Sequence, residues 1–316
     1  MNVDLQDADG LSASAKRREH EDIIVIDPRT DVPPPDQWPQ ALIARRVAGS
    51  GTPLPDATLA LLQKLPALLQ TEPFCWQLGD TNRARRVELD LPRIATAINR
   101  PGGLAVVDRP THWTTMVQVA KTPHQRRESF ELSLPGPREH QLLDLDGMMA
   151  LSHACAVALG AHVVYTLHLA LHVTYHGRRQ IERTEQNLAT LPPKIRAGIP
   201  KQTFEPVPHI VPGLPDLLEA IDFEETLVPD GVYWLNWWNA KMIDTLGRER
   251  VEGAGWAQIA RHADGSMTLA ATEAPPDLTS ADDVGQLVRI LEALDLRAQQ
   301  ERHPPGGTVS EAPRDL

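Results

Sequence analysis

The apolar positions of this chain fall into two rhythms, and each change of rhythm marks out an element. From Pro55 to Gln70, Leu59, Leu62, Leu65 and Leu69 recur at intervals of three and four, which predicts a helix that Pro66 bends or splits. A second helix is expected from Pro92, with Ile94, Ala97 and Ile98 on one face. Leu104 to Val107, Trp113 to Val119 and Ser129 to Leu134 are β-branched or alternating runs broken by Pro and polar turns, the pattern of an antiparallel meander. Helical spacing returns from Leu142 to Leu159 and ends at Gly160, with Asp144 and Asp146 ahead of Gly147 suited to a turn and helix start. Val163 to Tyr175 alternates again. Tyr165, Leu167, Leu169, Leu171, Val173 and Tyr175 share one side and Thr166, His168, Ala170, His172, Thr174 and His176 the other, so a long strand with one apolar and one polar face is predicted.

Residues 178–190, rich in Arg, Glu and Gln, read as an exposed helix that stops near Pro192-Pro193, and a proline-rich loop to about 213 follows. An acidic helix is expected between Asp216 and Asp230. Behind it comes the stretch around which the chain is organised, Gly231-Val232-Tyr233-Trp234-Leu235-Asn236-Trp237-Trp238. Three of the seven Trp and one of the three Tyr fall in six consecutive positions there, and both faces of such a strand are bulky, as in a central strand covered on both sides. Asn239 is placed to cap a following helix through Met242, Ile243 and Leu246, which Gly247 ends. Trp256 to Ala263 and Met267 to Thr272 form a hairpin with Asp264-Gly265 as a type I′ turn. Ser280, with Asp283 three positions on, opens a last helix whose buried stripe is Val284, Leu287, Leu291 and Leu294.

Hairpins mixed with strand-to-helix joins indicate the α+β class: a twisted, mainly antiparallel sheet with helices packed on it, and disordered N- and C-terminal tails. Residues 1–40 are expected to be a largely disordered arm despite the apolar run Ile23–Ile26, residues 41–300 one domain with a sub-boundary near 192–213, and 301–316 a tail. The 28 prolines fit long loops around an ordinary core. No apolar run reaches membrane-spanning length and Met1 to Glu21 has no signal-peptide core, so a cytoplasmic protein without membrane contact is expected.

A net charge of −11 argues against unaided binding to nucleic acid, which rests on Lys and Arg neutralising phosphates. The acids concentrate in Asp216, Glu219, Asp222, Glu224, Glu225 and Asp230, with no base among them. That run is either a solvated face or a surface for a basic partner. Trp238, at the end of its strand, is the tryptophan expected to be partly exposed and so a possible apolar anchor beside the acids.

Catalytic patterns are weak. His153, His162, His168, His172 and His176 lie close together in sequence, but on a strand a spacing of four separates imidazoles by about 13 Å, too far for one ion. No metal and no cofactor are therefore expected. Ala48-Gly49-Ser50-Gly51-Thr52-Pro53 lacks the Walker lysine, no serine sits in GxSxG, and no acid stands two before a lysine as in restriction-type nucleases. Cys75 and Cys155 match no paired spacing and read as buried thiols.

The run Gly231-Val232-Tyr233-Trp234-Leu235-Asn236-x-Trp238, with the short helix to Leu246-Gly247 behind it, resembles the signature of the immunity protein 52 family, found beside polymorphic and type VI toxin genes. The preceding order of hairpin, long helix and strand is similar too. The resemblance implies a cytoplasmic, non-enzymatic protein that neutralises a cognate toxin, in that family commonly a nuclease of restriction-endonuclease fold. An acidic chain could occupy the basic groove of such a nuclease, with Asp216, Glu219, Asp222, Glu224, Glu225 and Trp238 as the candidate contacts. Two alternatives stand beside it: a metal-dependent enzyme using the His153–His176 region, and an adaptor within a secretion assembly.

Overall fold

The computed structural model describes residues 40–47, 49–68, 75–78, 86–87, 104–108, 114–122, 127–134, 143–190, 192–193 and 211–304. The chain divides into two compact units, residues 1–32 and 33–316, and every described residue belongs to the second. The Ile23–Ile26 run, the helix expected from Pro92 and the tail beyond 304 lie outside them. No described helix is long and apolar enough to cross a membrane.

In chain order the elements are β1 (Gln40–Val47), α1 (Leu54–Leu68), β2 (Cys75–Leu78), β3 (Arg86–Val87), β4 (Leu104–Asp108), β5 (Thr114–Thr122) and β6 (Arg127–Leu134). Then come α2 (Leu145–Leu159), β7 (Val163–His168), α3 (Leu169–Thr190), β8 (Leu235–Trp238), α4 (Ala240–Leu246) and α5 (Arg248–Glu252). β9 (Gln258–Arg261), β10 (Met267–Ala270), α6 (Ala281–Leu294) and α7 (Leu296–Arg302) complete them. All the strands join one antiparallel sheet in the order β3-β2-β4-β5-β6-β1-β7-β8-β10-β9. The meander is present as β4, β5 and β6, and the α+β class holds.

Pairing register sorts the strand residues onto two faces, because opposed residues point the same way. On one face Leu42 and Ala44 of β1, Phe130 and Leu132 of β6, Val164 of β7, and Leu235 and Trp237 of β8 meet Leu61, Leu62 and Leu65 of α1 and Met148, Leu151, Cys155 and Leu159 of α2 in the main core. The helices are set by their ends. Asp144 accepts a bond from the Gly147 N–H at the start of α2, and Gly160 turns out of it with φ +61°. The Asn239 side chain accepts from the Met242 N–H, and Ser280 from the Asp283 N–H, as their spacing predicts. In α6 the buried positions are Leu287, Ile290, Leu291 and Leu294, with Val284 half-buried.

Three expectations fail here, each for a physical reason. The long strand ends at His168, and Leu169 begins the 22-residue helix α3. Its first two turns are submerged nearly all round, from Ala170 through His176, so no solvent-facing side imposes a polar stripe and the helical period leaves no trace in the sequence. The acidic helix does not form either; residues 211–234 are an irregular strap with one 3₁₀ turn, Ala220–Asp222. Pro212, Pro215 and Pro229 interrupt it, and Glu219 and Asp222 cap each other's backbone in place of helical bonds. Finally, the hairpin tip is not a two-residue type I′ turn. The His262 N–H donates to the Ser266 oxygen and the Gly265 N–H to the His262 oxygen, and only Gly265 has positive φ, so the tip is a three-residue loop with glycine in the left-handed position.

The strap closes over the other face of the sheet, and its tightest point is Gly231. A Cβ there would lie 2.9 Å from Tyr175 Cδ2 and 3.0 Å from Cε2, with Tyr233 Cζ at 3.3 Å. Neither ring can retreat, since both are fully buried. Gly231→Ala is therefore expected to destabilise the protein by about 1–3 kcal/mol through overpacking. Asn239→Ala, which removes only a cap, should cost about 1 kcal/mol. Urea unfolding of the two variants checks the ranking.

Candidate functional site

The paired residues Arg45 and Arg46 divide between the faces of β1. Arg46 enters the main-core side, where it binds Glu128 at 2.7 Å and donates to the carbonyls of Thr52 and Leu159, tying β1, β6 and the end of α2 together. Arg45 points beneath the strap. Its guanidinium donates to Asp230 at 2.9 Å and Glu225 at 3.3 Å, and lies 5.2 Å above the ring centre of Tyr165. Both carboxylates are buried, at 4% and 3% exposure, while the Arg45 side chain keeps 21%. Burial opposes the charge on Arg45, but Tyr165, Glu225 and Asp230 outweigh it and hold the guanidinium's pKa above its ordinary value. His162 stands 3.7 Å from Glu225.

From Arg45 a column of rings runs inward, and it contains every tyrosine of the chain. Tyr165 stacks on Tyr233 at 4.5 Å, Tyr175 meets Tyr233 edge-on at 5.9 Å, and the Tyr175 hydroxyl donates to the Val232 carbonyl. His172 Nδ1 lies 3.5 Å from the Tyr233 hydroxyl, and the His172 and His176 rings are 4.8 Å apart. Asn236 fixes the turn into β8: its side chain accepts from the Tyr233 N–H and donates to the Tyr233 carbonyl.

Burial decides the chemistry of this column. It pushes His172 and His176 down to about 3, with Arg45 acting in the same direction on both and His176 on His172, so both are neutral at ordinary pH. Burial raises the phenols of Tyr165, Tyr175 and Tyr233, and pushes the Cys155 thiol up to about 12. None of these groups is poised to exchange a proton near neutrality.

The acidic positions separate in the fold. Glu225 is an interior partner of Arg45, not a surface charge. Glu219 and Asp222 are bridged by Arg183 of α3, the Asp222 contact at 2.9 Å, and Gln180 donates to Glu219. Asp216 is half-buried, its carbonyl accepting from Arg297 of α7. Glu224 alone of the five is exposed. Trp238 is fully buried, its ring edge-on to Trp256 at 5.5 Å, which removes the exposure on which an anchoring role rested. The strand continues straight into the Asn239 cap, and Trp256 packs against its last residue.

The geometric premise used against a histidine metal site also fails. His172 and His176 are one helical turn apart on α3, while His168 ends β7 and His153 sits on α2, stacked on His262 at 3.6 Å. Among the described residues no group of three or more His, Cys, Asp and Glu is placed to hold an ion. Sequence reading missed Arg45 and Asp230 as partners, being 185 positions apart. The one available signal was two consecutive arginines in a strand, which must send one charge to each face.

Two outcomes follow. Arg45→Ala leaves Glu225 and Asp230 buried without their cation and is expected to cost about 3–5 kcal/mol, whereas Arg45→Ala combined with Asp230→Asn recovers part of the loss; chemical denaturation of the set measures this. His172 and His176 titrate near 3 folded and near 6.5 unfolded, so the unfolded chain binds more protons between those values. Their contribution is complete above the unfolded value and is lost as pH falls through the window, by up to about 1.4 kcal/mol per pH unit for each. A His172→Gln/His176→Gln double variant should show a shallower fall between about pH 6.5 and pH 4 than the parent.

No family model matches the chain, and no curated protein is significantly similar to it. Among solved structures it is similar to the Pseudomonas aeruginosa T6SS protein PA0821, at 14% sequence identity and a TM-score of 0.49, with 82% of this chain and 73% of that chain covered.

Proposed function

We propose that this protein binds a cognate bacterial toxin and neutralises it by stoichiometric occlusion, in the manner of the immunity protein 52 family that its aromatic stretch resembles. The observation that carries the reading is a division of labour. Under the strap Arg45, Glu225 and Asp230 are committed to one another and burial keeps His172 and His176 neutral at ordinary pH, while the chain as a whole carries a net charge of −11. Such an interior maintains a shape, and such a surface attracts a basic macromolecule and speeds its association. A nuclease fits because its own substrate obliges it to present a basic groove. Of the acids first considered, Glu224 remains available for that contact, with Glu219 and Asp222 already drawn to Arg183.

The test is co-expression with the toxin-like product of the neighbouring gene. Cells should survive only when this protein is present, and the purified pair should form a complex whose association slows as salt rises. Glu224→Lys should slow association while leaving unfolding unchanged. Failure of the protein to protect cells or bind any neighbouring gene product removes the reading.

A further inference from the structure

The sheet ends at β9, and among the described residues no strand pairs with its outer side. The direction of its amides follows from the ladder. The His262 N–H bonds to Ser266 across the hairpin, so alternation turns the amides of Ala260 and Gln258 toward β10 and those of Ile259 and Arg261 outward. An outward row of this kind is a template for another strand. Protection is slight: the strand is short, Arg261 marks one end, and Gln258, Ile259 and Ala260 are only half-buried.

The strand is also held ready. Gln258 donates to Asp146 of α2 at 2.7 Å on one face of the sheet, and Arg261 donates to Glu252 of α5 at 2.9 Å on the other. Asp146 thus meets the edge with only a neutral amide as partner, whereas Glu252 is already neutralised by Arg261 with Arg248 nearby. Beside Ala257, just ahead of β9, lies an open cleft of about 560 Å³ whose charged lining is Glu273, Asp282 and Asp283 against Arg289 alone. A second copy of this chain would bring the same excess of acid to the contact, so the charge opposes self-pairing.

We propose that the outer edge of β9 is the docking site for an extended, basic segment of the partner protein, which adds to the sheet as an eleventh strand beside the ten observed. Main-chain bonds to Ile259 and Arg261 give the register, and Lys or Arg side chains on one face of the segment reach Asp146 and the cleft. This names the surface used in the toxin-binding reading and rests on it for the partner's identity, though the edge can be examined without the toxin.

The experiment follows amide exchange in the full chain with a short peptide alternating lysine and valine, and with the same peptide carrying glutamate for lysine. The lysine peptide should slow exchange at Ile259 and Arg261 and the glutamate peptide should not. Ile259→Ala, which keeps the outward amide, should retain binding, whereas Ile259→Pro should weaken it about tenfold or more. If Ile259→Pro does not fold, the exchange pattern of the parent decides. Protection elsewhere, equal protection by both peptides, or protection that rises with protein concentration alone overturns the proposal, the last by showing copy-to-copy pairing. Cell rescue by the parent together with an unprotected β9 sinks the edge and spares the toxin-binding reading. Protection at β9 without rescue does the reverse.

Discussion

A guanidinium placed beneath an irregular strap must be neutralised there, and this requirement organises half of the molecule. Arg45 emerges from the middle of the sheet on the face beneath the strap, and a lone buried cation would cost several kcal/mol. Asp230 and Glu225 meet it from the strap, across 185 and 180 positions of sequence. The strap therefore cannot leave the sheet without exposing two carboxylates and stranding one cation. Its lack of regular hydrogen-bonded structure is offset by side-chain bonds: Gln300 of α7 accepts from the Leu218 N–H and donates to the Pro229 carbonyl, and Thr174 accepts from the Val211 N–H. An irregular segment can be buried only when its backbone groups find such partners.

The same constraint accounts for the aromatic column. Tyr165 offers its ring face to Arg45, Tyr233 stacks on Tyr165, and Tyr175 abuts Gly231. The glycine has ordinary φ, so it is chosen for closeness and not for backbone freedom. A side chain at that position would hold the strap away from α3 and lengthen the contacts that bring Asp230 to Arg45. Gly231, Tyr233, Asn236 and Trp238, the residues that stand out in the sequence, thus act as fitting pieces of the interior. All four are buried, so they report which fold the chain adopts and say nothing of its exterior.

How much could be read in advance follows from which residues face water. α1, α2, α4 and α6 were legible because each has a solvent side, or a capping side chain such as Asp144, Asn239 or Ser280 that serves one known backbone group. The meander was legible from alternation. α3 was not, because Ala170 to His176 is submerged nearly all round, so alternation of His and Thr with Leu and Val carried no information about period. The acids of 216–230 were legible as charge but not as position: whether Glu225 faces water or Arg45 depends on β1, far away in the chain. Trp238 was misplaced for the converse reason, since a strand end is usually open, and here Trp256 packs against it and the ring is fully buried.

A binding surface gains most from elements that need no ordering when the partner arrives, because immobilising side chains and loops subtracts from the free energy of association. The β9–β10 hairpin meets that condition by being pinned from both faces. Asp146 holds Gln258 and the His153 ring lies flat on His262, while Glu252 holds Arg261 on the opposite side. His153 is itself positioned, its Nδ1 accepting from the Trp237 indole N–H at 3.2 Å, so the aromatic stretch reaches the hairpin through one imidazole. A tryptophan buried in the core thereby steadies a strand at the rim. On this view the aromatic segment and the open edge are two ends of one mechanical unit: burial of Trp237 and Trp238 fixes β8, β8 fixes β10 by direct pairing, and β10 presents β9. The rigidity that made the aromatic segment conspicuous in the sequence is what a docking edge at the end of that sheet requires.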